Sequence, residues 1–260
     1  MSRPAKEPPG GASARFPGRF TTTVSLGDPL GTTDPMPPTN GSMTLLQLPH
    51  RRVGVTCHHV IDAYRTQRTL SPDRVFRAGD LALAALDRLI AEDPRLDLAV
   101  LDLDDVDTQQ LAVGPREPEF FEPSVWPLGT AEPGEVIALG GYPSFYRTSR
   151  SDREQASEFH SPYSITLGTT HVIDVGLENI VCEVGREYWV EGGRIQSIDA
   201  VTDLGGLSGG PGFVRRGAEF HFVGVIFVVQ QFGEYLLLRP ARFIGQDGGL
   251  RREGSGRRGS

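Results

Sequence analysis

Gly, Pro, Asn and Asp cut this chain into many short apolar stretches, and β-branched or aromatic residues alternate with polar ones in most of them. FTTTVSL (20–26), MTLLQL (43–48), RVGVTC (52–57), EVIALGG (135–141) and YSITLGTTHVIDV (163–175) fit this pattern. So do NIVCEV (179–184), REYWVEG (186–192), RIQSIDA (194–200), GFVRR (212–216), FHFVGVIFVV (220–229) and EYLLLR (234–239). Each predicts a strand. DLAVLDL (97–103) predicts a fully buried one. Helical periodicity is scarce: HVIDAY (59–64) predicts a short helical turn, and LALAALDRLIAE (81–92) fits either a helix or a strand. Many short strands with Gly-rich turns and little helix predict an all-β barrel or sandwich.

Composition removes several alternatives. With 38% hydrophobic residues and 32 glycines, the chain can bury a core and is not disordered throughout. Its longest strongly apolar run, Phe222 to Val229, is far short of the roughly 20 residues of a membrane span. The opening MSRPAKEPPGG carries no apolar segment of the signal-peptide kind. Of the 26 basic residues only Lys6 is a lysine, and it lies in the polar N-terminal segment. A Schiff-base lysine, a Ser–Lys dyad and a Walker A lysine are thereby excluded from the core. Two cysteines, Cys57 and Cys182, make no disulfide framework and no zinc-ribbon spacing, so free thiols and a cytoplasmic location are expected. The net charge of −7 sits on the middle of the chain while both ends are basic, which argues against a nucleic-acid footprint.

GGLSGGP (205–211) is the strongest local signal. Four glycines around one serine allow a turn whose amides point inward at one spot, which suits an oxyanion. Ser208 is the candidate nucleophile, with the Gly206 and Ser208 amides as donors. A serine needs a base, and the base needs an orienting group. VTCHHV (55–60) supplies a histidine at the end of a strand. DLAVL (97–101) supplies an aspartate opening an apolar strand, and its LAVL separates Asp97 from the rivals Asp80, Asp102 and Asp104. The adjacent Cys57, His58 and His59 do not predict a metal site, because consecutive residues on a strand point oppositely. The acidic run at Asp102, Asp104, Asp105 and Asp107 lacks the glycine and terminal glutamate of a calcium loop.

VTCHHV, DLAVL and GLSGGP resemble the three signature blocks of the chymotrypsin/trypsin-like serine peptidases, nearest the disulfide-poor bacterial Deg/HtrA-type branch. PGEVIALGGYP (133–143) resembles the strand and turn that open that family's second barrel. The resemblance covers residues 20–246. It implies two six-stranded antiparallel β-barrels with the active site in the cleft between them. The expected division is a disordered segment 1–18, a first barrel 19–125, a second barrel 126–248 and a disordered basic tail 249–260. It further implies His59 rather than His58 as base, Asp97 as orienting group and Ser208 as nucleophile of a serine endopeptidase. That chemistry takes a protein or peptide substrate and calls for no metal or cofactor, no nucleic acid and no membrane.

Three departures refine the expectation. Leu207 stands where the digestive enzymes carry an aspartate that pairs with a newly cut N-terminus. No PDZ domain follows the barrels in this sequence. Thr202, at the position that sets primary specificity in the family, matches neither a basic nor another clear preference. A polar insert of mixed charge, Phe145 to Pro162, is the candidate gate, with a regulatory protein as its partner. The rival expectation is a catalytically silent or partner-gated module that keeps the fold and acts as a sensor or binding protein.

Overall fold

The computed structural model describes residues 15–27, 40–113, 116–142, 166–183, 189–191, 194–195, 205–230 and 235–252. The first half of the chain forms seven strands: β1 (Thr21–Gly27), β2 (Asn40–Gln47), β3 (Arg52–Thr56), β4 (Val75–Ala78), β5 (Leu81–Leu83), β6 (Leu89–Asp93) and β7 (Leu98–Asp102). They make one antiparallel sheet in the order β5-β4-β1-β2-β3-β7-β6. The second half adds β8 (Val136–Gly141), β9 (Thr166–Val175), β10 (Ile180–Glu183), β11 (Trp189–Glu191), β12 (Arg194–Ile195), β13 (Pro211–Arg216), β14 (Glu219–Gln230) and β15 (Tyr235–Pro240). Here β10 pairs with both β15 and β9, so β10, β15, β14, β13, β8 and β9 close into a six-strand barrel with β11 and β12 appended.

The expected six-stranded barrel is therefore met in the second half. In the first, the sheet has seven strands and curls without closing among the described residues. Its edges are short or irregular: β5 has three residues, and β6 carries a bulge between Leu89 and Ala91.

Three apolar clusters hold these sheets. One fills the first sheet, with Val24, Leu26, Met43, Leu45, Phe76 and Leu101 among its members. Another lies inside the closed barrel, around Ile137, Val172, Ile180, Ile226 and Leu238. The third joins the halves: Leu46, Val53 and Val100 from the first sheet meet Phe213, Phe222 and Val225 from the second. A buried side chain of this size stabilises by about 1.5–3 kcal/mol, so the seam contributes to holding the two halves together.

The local expectations need four corrections. The turn expected at 59–64 is a 13-residue helix, α1 (His58–Leu70), because Val60, Ile61, Tyr64 and Gln67 recur on one face and are buried together. The ambiguous stretch 81–92 is strand at both ends, β5 and β6, because Leu83 pairs with Phe76 and Leu89 with Leu101. β4 went unpredicted. Order also extends past both expected boundaries. A short 3₁₀ helix at Pro17–Phe20 follows Phe16, whose ring stacks on Phe220 at 3.7 Å. At the other end, the Arg251 amide donates to the Phe243 carbonyl, and Arg252 makes a bidentate ion pair with Asp93 at 2.6 and 2.7 Å. Among the described residues no helix is long and apolar enough to cross a membrane.

Candidate active site

Strand register brings His59 and Asp97 together. β3 and β7 are antiparallel neighbours, with Thr56 opposite Ala99. The chain leaves β3 just before Cys57 and enters β7 just after Asp97, so both residues lie at the same end of the sheet. Cys57 is extended (φ −80°, ψ 147°) and caps α1, which turns the next residues into the helix. The Asp97 carboxylate meets that helix N-terminus: Oδ1 accepts from the His59 amide at 2.9 Å, and Oδ2 lies 2.7 Å from His59 Nδ1. Its partner is half-exposed, with 51% of the His59 side chain open against 19% for Asp97.

His58 points elsewhere. Its Nε2 lies 3.6 Å from Glu92, which also pairs with Arg65 at 2.6 Å. The Arg65 guanidinium holds the Glu92 carboxyl below the usual range. Adjacent histidines thus have separate carboxylate partners, and the pair with Asp97 belongs to His59.

Ser208 is held from both halves. Its carbonyl accepts from the Ser42 amide at 2.7 Å, the Ser42 hydroxyl donates to the Gly206 carbonyl at 2.8 Å, and the Thr44 hydroxyl donates to the Gly209 carbonyl at 2.8 Å. From the barrel, Ile226 accepts from the Gly209 amide at 2.8 Å. Glycine is needed at two positions of this turn. Gly206 and Gly209 have φ of 93° and 95°, and a Cβ on Gly209 would collide with the Ser42 carbonyl. Among the described residues, neither the Gly206 nor the Ser208 amide donates to a carbonyl. Leu207, between them, is buried in the barrel cluster.

The Ser208 hydroxyl donates to the Phe227 carbonyl at 3.4 Å and makes no hydrogen bond to His59. The residue that all three predicted side chains surround is Cys57. Its thiol lies within 4.8 Å of the ligand atoms of His59 and Asp97, neighbours the Ser208 hydroxyl, and donates to the Ile226 carbonyl at 3.3 Å. Burial, and secondarily the Asp97 charge, push this thiol well above its usual range. A reactive cysteine needs the opposite shift, so Cys57 is the packing residue its apolar surroundings suggest. Thr202 and the insert Phe145 to Pro162 lie outside the described residues.

Sequence reasoning missed Arg239, on β15. It is 8% exposed. Its guanidinium donates to the carbonyls of Leu96 (2.6 Å), Arg95 (3.2 Å) and Glu178 (2.9 Å) and to Asn179 Oδ1 (2.5 Å), and it lies 4.0 Å from the centre of the Phe227 ring. An arginine in an otherwise apolar strand, EYLLLR, was the available signal.

No protein-family profile matches the chain, and no curated protein matches it. Among solved structures it is similar to the active form of the Rv3671c protease from M. tuberculosis, at 17% identity and a TM-score of 0.49 over 98% of this chain and 96% of that one. It is also similar to the thermostable serine protease AL20 from an extremophilic microorganism, at 13% identity and a TM-score of 0.42 over 87% and 92% of the two chains. A third similarity is to a structure describing the coupled folding and binding of the Sesbania mosaic virus VPg protein, at 12% identity and a TM-score of 0.43 over 86% and 87%. The described residues thus form a closed six-strand barrel beside a curled antiparallel sheet, with His59 and Asp97 in contact and the Ser208 turn held from both halves.

Proposed function

We propose that this protein is a serine endopeptidase that cleaves peptide bonds through an acyl-enzyme. The observation that carries the reading is the bidentate grip of Asp97 on His59, through its backbone amide at 2.9 Å and its ring at 2.7 Å. An Nδ1–H donated to Asp97 leaves Nε2 unprotonated and outward, which is the tautomer a general base requires. Ser208 Oγ attacks the scissile carbonyl as His59 takes its proton. The same proton then passes to the leaving amine, and water repeats the sequence on the ester. The Gly206 and Ser208 amides receive the negative oxygen of each tetrahedral intermediate. Cys57 is the rival nucleophile by proximity, but its burial and raised pKa keep it a thiol.

A second reading is favoured by one observation. The Ser208 hydroxyl donates to the Phe227 carbonyl and not to His59. Attack requires rotation of that side chain, and a module whose serine is released only by a partner would rest in this state. Incubation of the full-length protein with a mixed peptide library, read by mass spectrometry, separates the readings. The peptidase predicts new termini that are absent with Ser208→Ala. Cleavage that persists in Ser208→Ala would refute the assignment, and no cleavage by the wild type would leave the gated reading in its place.

A further inference from the structure

We infer that Arg239 is a positioning residue for the candidate triad: from the second half of the molecule, its buried guanidinium clamps the turn that presents Asp97 and packs against the residue that receives the Ser208 hydroxyl. The inference rests on the peptidase reading above and names a part of its machinery that lies outside the three side chains.

The turn from Pro94 to Asp97 is unusual in its backbone. Asp97 has φ of 53° and is the one non-glycine residue in the left-handed region among those described. Such a conformation is strained for a residue with a Cβ and persists only where neighbours impose it. Two groups impose it here. The Asp93 carboxylate accepts from the amides of Arg95 and Leu96 at 2.9 and 3.2 Å. Arg239 takes the carbonyls of the same two residues, donating to Arg95 and Leu96, so the peptide unit between them is held at both its C=O and its N–H. Amides and carbonyls of the turn are thus fixed from two directions.

Arg239 also reaches the nucleophile. Its guanidinium lies over the Phe227 ring, and the Phe227 carbonyl is the acceptor of the Ser208 hydroxyl. One planar group therefore holds the segment that ends in the orienting carboxylate and the residue beside the serine. Lysine could replace the charge but not the fork that serves these acceptors together. Burial lowers the pKa of this guanidinium from its usual value, and the charges of Glu178, Asp97 and Asp93 counter part of that cost.

The test compares Arg239→Met and Arg239→Lys with Arg216→Met in the full-length protein. Arg216 makes three side-chain hydrogen bonds, to Glu135 and the Thr130 carbonyl, none of them to a triad residue. Two readouts are taken: kcat and KM on a library-derived peptide, and the low-field proton resonance of the His59 Nδ1–H held by Asp97, assigned by its loss in Asp97→Asn. Arg239→Met is expected to lower kcat by about 10²-fold with little change in KM, as small misplacements of catalytic groups do, and to weaken or abolish the low-field signal. Arg216→Met should lower the melting temperature without either change. Arg239→Lys should fall between wild type and Arg239→Met, and it carries the test alone if the methionine variant does not fold. Wild-type kcat and an intact low-field signal in the Arg239 variants would overturn the inference, as would equal losses in Arg216→Met. If the wild type cleaves no peptide, the peptidase reading fails, while the resonance still decides whether Arg239 holds the pair.

Discussion

At the residue scale, function is divided among side chains that differ little in type. His58 and His59 are neighbours, yet one faces Glu92 and the other Asp97. His59→Ala should abolish peptide cleavage to the level of Ser208→Ala, a loss of about 10⁶-fold in kcat, whereas His58→Ala should keep most of it. The reverse order in parallel assays would place the base one residue too late. Asp97→Asn keeps the shape of the side chain but presents an amide to His59 Nδ1, which favours the wrong tautomer. A drop of about 10⁴-fold at unchanged melting temperature is expected, and full activity in that variant would remove Asp97 from the mechanism. These three candidates could be picked out of the sequence because each sits in a short pattern with a chemical reason, and the structure brings two of them, His59 and Asp97, into contact. Arg239 was not, because its role depends on carbonyls that lie far away in the chain, at residues 95, 96 and 178. No local pattern encodes such a contact.

At the scale of elements, the turn that carries the candidate nucleophile Ser208 also joins the two sheets. Ser42 and Thr44 of β2 hold it from one side and Ile226 of β14 from the other. Gly209→Ala puts a Cβ into the Ser42 carbonyl and forces a side chain on φ of 95°. That substitution should cost about 1–3 kcal/mol, read as a lower urea midpoint, and should reduce cleavage more than it reduces stability. A variant with wild-type stability and activity would show that the turn is not constrained as described. Strands with clear alternation were legible in the sequence. α1 was legible only in part, because its second half, RTQRTL, is polar and follows from capping and from burial of Tyr64 and Gln67 rather than from apolar periodicity. β5 and β6 share a leucine-rich stretch that satisfies helix and strand spacing alike, and pairing with β4 and β7 decides between them.

For the whole molecule, the ends of the chain act as fasteners. Phe16 stacks on Phe220 and meets Phe20, Phe121 and Phe213 edge-on or tilted, at centroid distances of 5.0–6.3 Å. Removal of residues 1–18 should therefore lower the melting temperature. It should not raise activity, because Leu207 is buried among apolar side chains and offers no partner to a new ammonium group. A large gain in cleavage on trimming would contradict this. Ion pairs predict the response to acid. Arg65, Arg252 and Arg216 hold the carboxyls of Glu92, Asp93 and Glu135 below their ordinary values. A carboxyl depressed in the folded state gives stability that is fully present above its unfolded value, near about 4. It is lost as the pH falls below that value, because the unfolded chain takes up protons first. Urea midpoints should be level near neutrality and decline from about pH 5 downward. Asp93→Asn should flatten part of that decline, and an unchanged curve would show that its pair with Arg252 contributes nothing to folding.

The claim on which the rest depends is that Ser208 is a nucleophile activated by His59. Treatment of the native protein with a fluorophosphonate, followed by digestion and mass mapping, tests it directly. One adduct is expected, on the peptide that contains GGLSGGP, absent from Ser208→Ala and nearly absent from His59→Ala. Modification of a different serine, or equal labelling of Ser208 with and without His59, would contradict it.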